Sequence, residues 1–457
     1  MKVLLISSNI SATPYSVYPL GLSMVAKSLV LAGHQVELFD FLESNCSLEV
    51  LGEKVKYARP ELIGISIRNI DNVNFLNEQR YISIVKDIVA KIKKVSPRPV
   101  VLGGSGFSIM PREILEEVGA DYGIIGEGEV AMVDFVNNAA KDIYPKERLI
   151  NASHRLAGGR IPSAHYDQRL MDFYLKSGNV ASLQTKRGCG HRCVYCTYPL
   201  LEGTNIRPRN PKDVVGDIEV LVNEHKAKYI FFTDSVFNDD EGYYLDVVSQ
   251  MKARKINTPW CAFFKPDGLD SETILLMKQT GLKAAEMGAD AASDIALKQL
   301  GKGFLFEDVI RTNELFNSHG VATAHYFMFG CPGERKETIY QGIENIKNLK
   351  KTVSFIFMGI RILPGTKLYD LALKQKIISD GQNLLDSAYY ITPGIDKRWL
   401  EQTLTDAFSG IRHCVFPPDA LDNSLQFLHK LGYSGSLWNM LIPGAAKRNR
   451  KKHAESR

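Results

Sequence analysis

Apolar residues along the first 140 positions follow two alternating rhythms. Short unbroken runs at 2–7 (KVLLIS), 35–39 (QVELF), 62–67 (LIGISI), 98–102 (RPVVL) and 121–125 (DYGII) have the length of strands buried on both faces. Between them lie stretches with helical spacing, the first placing Leu20, Met24, Val25, Leu29 and Val30 ahead of a stop at Gly33. Such β/α repeats over residues 1–140 predict a doubly wound parallel sheet, whose ligand belongs at the carboxyl ends of the strands.

Residues 141–180 lack a clean period and read as a linker with partial structure. From 181 the alternation resumes with ASLQTK, then a helix opened by Asn210-Pro211 with Val214, Val215, Ile218 and Leu221 on one face, then YIFFTD at 229–234. Further strands are expected near 259–264, 282–287, 323–330 and 354–361. The pattern fades near 375, so the second unit, 181–375, is expected to be a partial barrel of six β/α units. Residues 376–446 read as a helical C-terminal region, and 447–457 as a basic tail.

Composition narrows the class. A chain of 457 residues with 45% hydrophobic and 23% charged positions is globular, neither disordered nor fibrous. No uncharged apolar run approaches the ~18–20 residues of a membrane span, and MKVLLISS has too short an apolar core for a signal peptide, so the cytoplasm is the expected compartment. The net charge of +5 comes from the last eleven residues, KRNRKKHAESR, and residues 1–446 balance to zero. A basic nucleic-acid footprint on the folded body is therefore not expected. Trp438, Met440, Leu441 and Ile442 just before that tail suggest peripheral membrane contact, which would in turn suit a lipid substrate.

Three of the seven cysteines stand together in KRGCGHRCVYC: Cys189, Cys193 and Cys196. In a cytosolic chain this reads as a metal site, not a disulfide framework. Three thiolates on one loop suit three irons of a cubane with the fourth iron open, whereas structural zinc wants four ligands; a zinc knuckle completed by His191 is the alternative. Gly188 and Gly190 would help the loop turn.

With those residues the sequence resembles the radical S-adenosylmethionine (SAM) enzymes, more narrowly the cobalamin-binding, class B methyltransferase-like group, over about residues 1–375. The resemblance implies a [4Fe–4S] cluster on Cys189, Cys193 and Cys196, SAM bound at its open iron, and an electron donor such as flavodoxin or ferredoxin. It implies further that Tyr195 packs near the adenine and that Asp234 in FFTDSVFN holds the SAM ammonium group. Asp290 in EMGADAAS would bond the ribose, while Phe329 and Gly330 in HYFMFGCPGE would lie beside the adenine. Ser235 departs from the family, whose members often carry a second acid there. Cys331 could donate hydrogen, with simple packing favoured.

The first unit lacks the G-x-G-x-x-G dinucleotide fingerprint, which argues against NAD or FAD. Glycines instead follow the fourth and fifth strands, as Gly103-Gly104-Ser105-Gly106 and Gly126-Glu127-Gly128-Glu129, where backbone can approach a bulky ligand. The resemblance makes that unit flavodoxin-like and the ligand cobalamin, its nucleotide tail passing the Gly103–Ser108 turn and its corrin lined by Ser66, Arg68 and Asn69. The D-x-H-x-x-G motif is absent, so cobalt should lack a His from that loop. The implied function is methylation of an unactivated carbon through a 5′-deoxyadenosyl radical and methylcobalamin. The alternatives are a radical cyclase or rearrangement enzyme and a non-catalytic cobalamin-binding regulator. Arg207 and Arg209 could greet an acidic substrate, although solvated surface positions are favoured.

Overall fold

Both sets of buried runs become parallel sheets. The computed structural model describes residues 1–13, 16–152 and 155–442. The first sheet contains β1 (Lys2–Ser7), β2 (Gln35–Asp40), β3 (Leu62–Ser66), β4 (Val100–Gly103), β5 (Tyr122–Ile125) and β6 (Leu149–Asn151), in the order β2-β1-β3-β4-β5-β6. Every pairing is parallel. The winding reverses between β1 and β3, where a doubly wound sheet opens its crevice. There the Ser8 hydroxyl donates to the Ser66 carbonyl at 2.9 Å and joins the two strand ends.

Three elements fill the stretch expected to be a linker, one of them a single 3-10 turn at Gly158–Arg160. The strand β6 pairs with β5, and the helix Gln168–Lys176 buries Leu170, Met171 and Tyr174. A three-residue strand with no buried position carries no apolar run, so only its pairing reveals it.

The second sheet begins with β7 (Val180–Leu183). Two short segments, β8 (Lys186–Arg187) and β9 (Arg207–Pro208), pair antiparallel around the cysteine loop. Then come β10 (Tyr229–Phe232), β11 (Trp260–Phe264), β12 (Leu282–Asp290), β13 (Ala322–Phe329) and β14 (Thr352–Met358), each parallel to its predecessor in an open arc that starts at β7. The six expected units are therefore present. After the antiparallel pair β15 (Ile360–Arg361) and β16 (Tyr389–Tyr390), the strand β17 (Cys414–Val415) adds a seventh rung beside β14. The C-terminal region is thus not purely helical, although helices Lys397–Phe408 and Asp422–Lys430 belong to it.

The two sheets share their cores. One apolar cluster joins Leu5, Leu22 and Val136 of the first unit to Leu183, Ile218 and Trp260 of the second, and another joins Ile65 and Phe107 to Phe327 and Ile356. Buried polar links add to this: Arg361 Nε donates to Asp71 at 2.8 Å, and the Tyr174 hydroxyl donates to Asp40 at 2.7 Å.

The membrane reading of the C-terminal apolar residues is corrected here. Trp438 and Leu441 are 3% and 9% exposed and pack on Val180, Cys261, Ala284, Ala324 and Val353, inside the barrel near the amino ends of its strands. The Trp438 indole Nε1–H donates to Glu286 at 3.1 Å, and the Tyr326 hydroxyl donates to the same carboxyl at 2.6 Å. These side chains plug a barrel and are not offered to a lipid surface. Residues 447–457 lie outside the described residues. Among the described residues no helix is long and apolar enough to cross a membrane.

Replacing Trp438 with Ala should lower unfolding stability by about 3–5 kcal/mol, the usual cost of emptying a buried aromatic site. Trp438→Phe should cost less, because the ring volume mostly remains and Tyr326 still serves Glu286. Urea unfolding followed by circular dichroism checks the order, and equal loss from both variants would contradict the plug.

Candidate functional site

A cavity of about 600 Å³ opens over the carboxyl ends of β1, β3, β4 and β5. Its wall takes in Ser66, Arg68, Asn69, Gly103, Gly104, Ser105, Ser108, Gly126, Glu127, Gly128 and Glu129, whereas Gly106 of the first glycine run is not part of it. The opposite wall comes from the second unit and includes Gln184, Arg187, Thr197, Tyr198, Glu202 and Thr233. The described lining residues include no histidine.

Local chemistry explains the wall. Gly104 has φ +101°, and a Cβ there would stand 2.5 Å from the Ile67 carbonyl, so only glycine fits. The Ser108 hydroxyl donates to Gly104 O at 2.9 Å and accepts from Gly126 N–H at 3.0 Å, tying the turns after β4 and β5 together. The Ser105 hydroxyl donates to the Arg68 carbonyl at 2.8 Å, and Arg68 itself is exposed on the wall. An ideal Cβ on Gly103 meets nothing nearer than Ile124 O at 3.9 Å, so a larger residue would enter space the protein leaves open. A bulky ligand approaching the backbone suits such a surface.

Glu127 has a second role that the glycine pattern hid. Its carboxylate pairs with Arg207 and lies 3.4 Å from Arg187, while also accepting from Leu156 N–H at 2.8 Å. Burial pushes this carboxyl up, but the two guanidinium groups outweigh it and hold it below the usual carboxylate range. Arg187 donates to Glu129 at 2.5 Å, and burial, which works against its charge, is overcome by that partner. Arg209, 2% exposed, pairs with Asp217 at 2.8 Å and donates to Gln184 O at 2.9 Å. The expectation of solvated surface arginines at 207 and 209 is therefore overturned, because Arg207 is sunk against Glu127 at the seam of the two units and Arg209 against Asp217 and the Gln184 carbonyl within the second.

The cysteine loop leaves β8 and is fastened at both ends. Gly188 has φ +95°, with a Cβ barred by the Asn205 carbonyl at 2.1 Å, and its N–H donates to Glu202 at 3.1 Å. Gly190 needs no such freedom, since its Cβ would meet nothing nearer than 3.7 Å. Val194 N–H donates to Leu300 O at 3.0 Å, and Val194 O accepts from Leu368 N–H at 2.8 Å. Cys189 is buried, Cys193 and Cys196 are half-buried, and burial pushes the Cys196 thiol up to about 12. Among the described residues no three His, Cys, Asp or Glu side chains converge as for a single metal ion. A cubane asks something different, one thiolate per iron, and the three cysteines supply that donor set.

Two SAM-side candidates meet a third residue that the sequence did not flag. Asp290 ends β12 at φ +66°, past an irregularity in its pairing with β13, and its Oδ2 accepts from the Tyr195 hydroxyl and the Lys302 ammonium. Lys302 sits in a Gly-Lys-Gly turn without a motif, so no signal pointed to it. Asp234 is 1% exposed: its carboxylate accepts from Thr185 N–H at 2.7 Å and Oγ1 at 2.5 Å, with Lys186 Nζ at 3.6 Å. In this arrangement it braces the end of β7, from which the cysteine loop departs. The Phe329 ring faces away from the barrel interior, 6.5 Å from that of Phe408, and Gly330 N–H donates to Glu334 at 2.7 Å. Cys331 N–H donates to the same carboxyl at 2.8 Å, and its thiol is packed out of solvent. Burial pushes Glu334 up to about 7.

Comparison with known proteins agrees with this geometry. Residues 7–136 match the B12 binding domain and residues 183–362 the radical SAM superfamily. A tryptophan 2-C-methyltransferase of Streptomyces laurentii is 24% identical over 423 residues, covering 76% of this chain and 70% of the relative. An anaerobic magnesium-protoporphyrin IX monomethyl ester cyclase of Rubrivivax gelatinosus is 22% identical, over 70% of this chain and 60% of its own. The structure of the radical SAM methyltransferase TsrM from Kitasatospora setae, with cobalamin and a [4Fe–4S] cluster bound, superposes at a TM-score of 0.84 with 22% identity, covering 96% of this chain and 97% of that one. With both domains matched in order, the cysteine loop inside the second and the cavity lined by both, the chain belongs to the radical SAM superfamily, as a member carrying an N-terminal B12-binding domain.

Proposed function

We propose that the protein is a cobalamin-dependent radical SAM enzyme that methylates an unactivated carbon of a small molecule. The observation that carries this reading is the cavity itself, whose wall runs from the glycine-lined strand ends of the first unit to Thr197 and Tyr198, directly after Cys196. When bound, the cluster and cobalamin supply an electron for SAM cleavage and a carrier for the methyl group. The chain's own residues hold, orient and exclude water.

Cys189, Cys193 and Cys196 hold the cluster, and Gly188 with the Leu300 and Leu368 contacts fixes their loop. Gly103, Gly104, Ser105, Ser108 and Gly126 receive the cobalamin nucleotide tail, while Ser66, Arg68 and Asn69 border the corrin. Tyr195 and Asp290 stand on the SAM side, and Asp234 keeps the strand end beneath them in register. Gly330 and Phe329 support that side through the Glu334 turn and the core. A low-potential donor of the flavodoxin or ferredoxin kind delivers the electron.

Two measurements test the reading. Cys189→Ala, Cys193→Ala and Cys196→Ala should each lose most of the cluster iron while leaving bound cobalamin in place, because the two sites rest on different strands. Iron counts and absorption spectra decide it, and zinc in the wild-type loop would sink the cluster assignment. The cobalamin spectrum should also show cobalt without a histidine ligand.

The second is an anaerobic assay with methyl-deuterated SAM, offering first L-tryptophan, the substrate seen with TsrM, and then a small-molecule extract. Methyl transfer consumes two SAM molecules per product, so S-adenosylhomocysteine and 5′-deoxyadenosine should form in equal amounts with a labelled product. The cyclase relative favours one other reading. That reading expects 5′-deoxyadenosine alone, with no label transferred.

A further inference from the structure

Lys302 is a buried cation beside the cysteine loop with no part in the function so far. Its side chain is 8% exposed and its ammonium pairs with Asp290, itself 17% exposed. The same ammonium lies 5.7 Å from the centre of the Tyr195 ring, between Cys193 and Cys196 in sequence, and 6.0 Å from that of Phe304. Its backbone is fixed against the loop: Gly301, at φ +77°, leaves no room for a Cβ beside the Arg192 carbonyl at 2.7 Å, and Leu300 O accepts from Val194 N–H. Its ammonium therefore lies beside the stretch that joins Cys193 to Cys196, with Asp290 as its carboxylate partner.

We propose that Lys302 is a positioning residue that sets the reduction potential of the cluster from beside the Cys193–Cys196 stretch, with Asp290 limiting how much of its charge the cluster feels. This rests on the radical SAM reading above. Taking up one electron from a low-potential donor makes the cluster more negative, so a nearby cation favours the reduced form and a nearby anion opposes it. The interior location weakens screening by water. Tyr195, by donating to Asp290, holds the carboxylate in the position where it balances the lysine. The left-handed backbone of Asp290 is a conformation that Asp tolerates better than most residues, and it turns the carboxylate to meet both partners.

The test is an EPR-monitored redox titration of the cluster- and cobalamin-loaded protein, without substrate or turnover. Lys302→Met should move the cluster midpoint to more negative potential. Asp290→Asn should move it the opposite way, since the lysine then acts unopposed, and the double variant should fall between the singles. A purely structural role would give shifts of one sign or loss of iron, so iron is counted in every sample. If Lys302→Met fails to hold the cluster, Lys302→Gln removes the same charge with a polar side chain. Unchanged midpoints, or shifts of the same sign, overturn the proposal. So does an Asp290→Asn variant that weakens SAM binding at an unchanged midpoint, which would assign Asp290 to the ribose. A wild-type protein without the signal of a reduced [4Fe–4S] cluster would overturn the radical SAM reading and this one together.

Discussion

Arg187 is the contact on which the rest of the site depends. Its guanidinium is buried at the junction of the two units, taking Glu129 from the first and Gln184 from the second, with Glu127 close by. A charge removed from water is tolerable only when partners meet it, and removing one partner typically costs about 3–5 kcal/mol. Arg187 also immediately precedes Gly188 and the three cysteines. The same side chain that closes the seam therefore fixes where the cysteine loop begins relative to the glycine-lined strand ends.

That placement makes the two cofactor regions neighbours. Family membership says only that one chain carries both domains. The ion network, the Arg361–Asp71 pair and the shared apolar clusters keep the domains from moving apart as linked beads would. The methyl transfer proposed above would require a fixed distance between the two cofactors, because a carbon radical must meet a methyl donor before it meets solvent.

The site also shows how local strain is held by its surroundings. Gly188 and Gly301 are left-handed with no space for a side chain, and Asp290 is left-handed without being glycine. Each lies on or beside the cysteine loop. Their neighbours determine these conformations: the Asn205 and Arg192 carbonyls on one side, Lys302 and Tyr195 on the other.

Much of this was legible in the sequence, for definable reasons. Strands buried on both faces leave unbroken apolar runs, so β1 to β5 and the six barrel strands announced themselves. The cysteine loop was readable because its three thiols are adjacent in the chain, and the glycines after β4 and β5 because they stand in tight clusters at strand ends, where the Gly104 position admits no other residue. What stayed hidden depends on partners distant in sequence. A strand such as β6 or β17 exists through its ladder, not its composition. Whether Arg207 and Arg209 face water or a carboxylate, whether Trp438 meets lipid or Glu286, and whether Lys302 meets Asp290 beside the cysteine loop cannot be read from spacing. Local patterns carry periodicity, turn geometry and clustered side chains, so the sequence alone determined the fold class and the three-cysteine loop. Burial and charge pairing are properties of the assembled interior, and only the tertiary structure decided which charges are met, and by which residues.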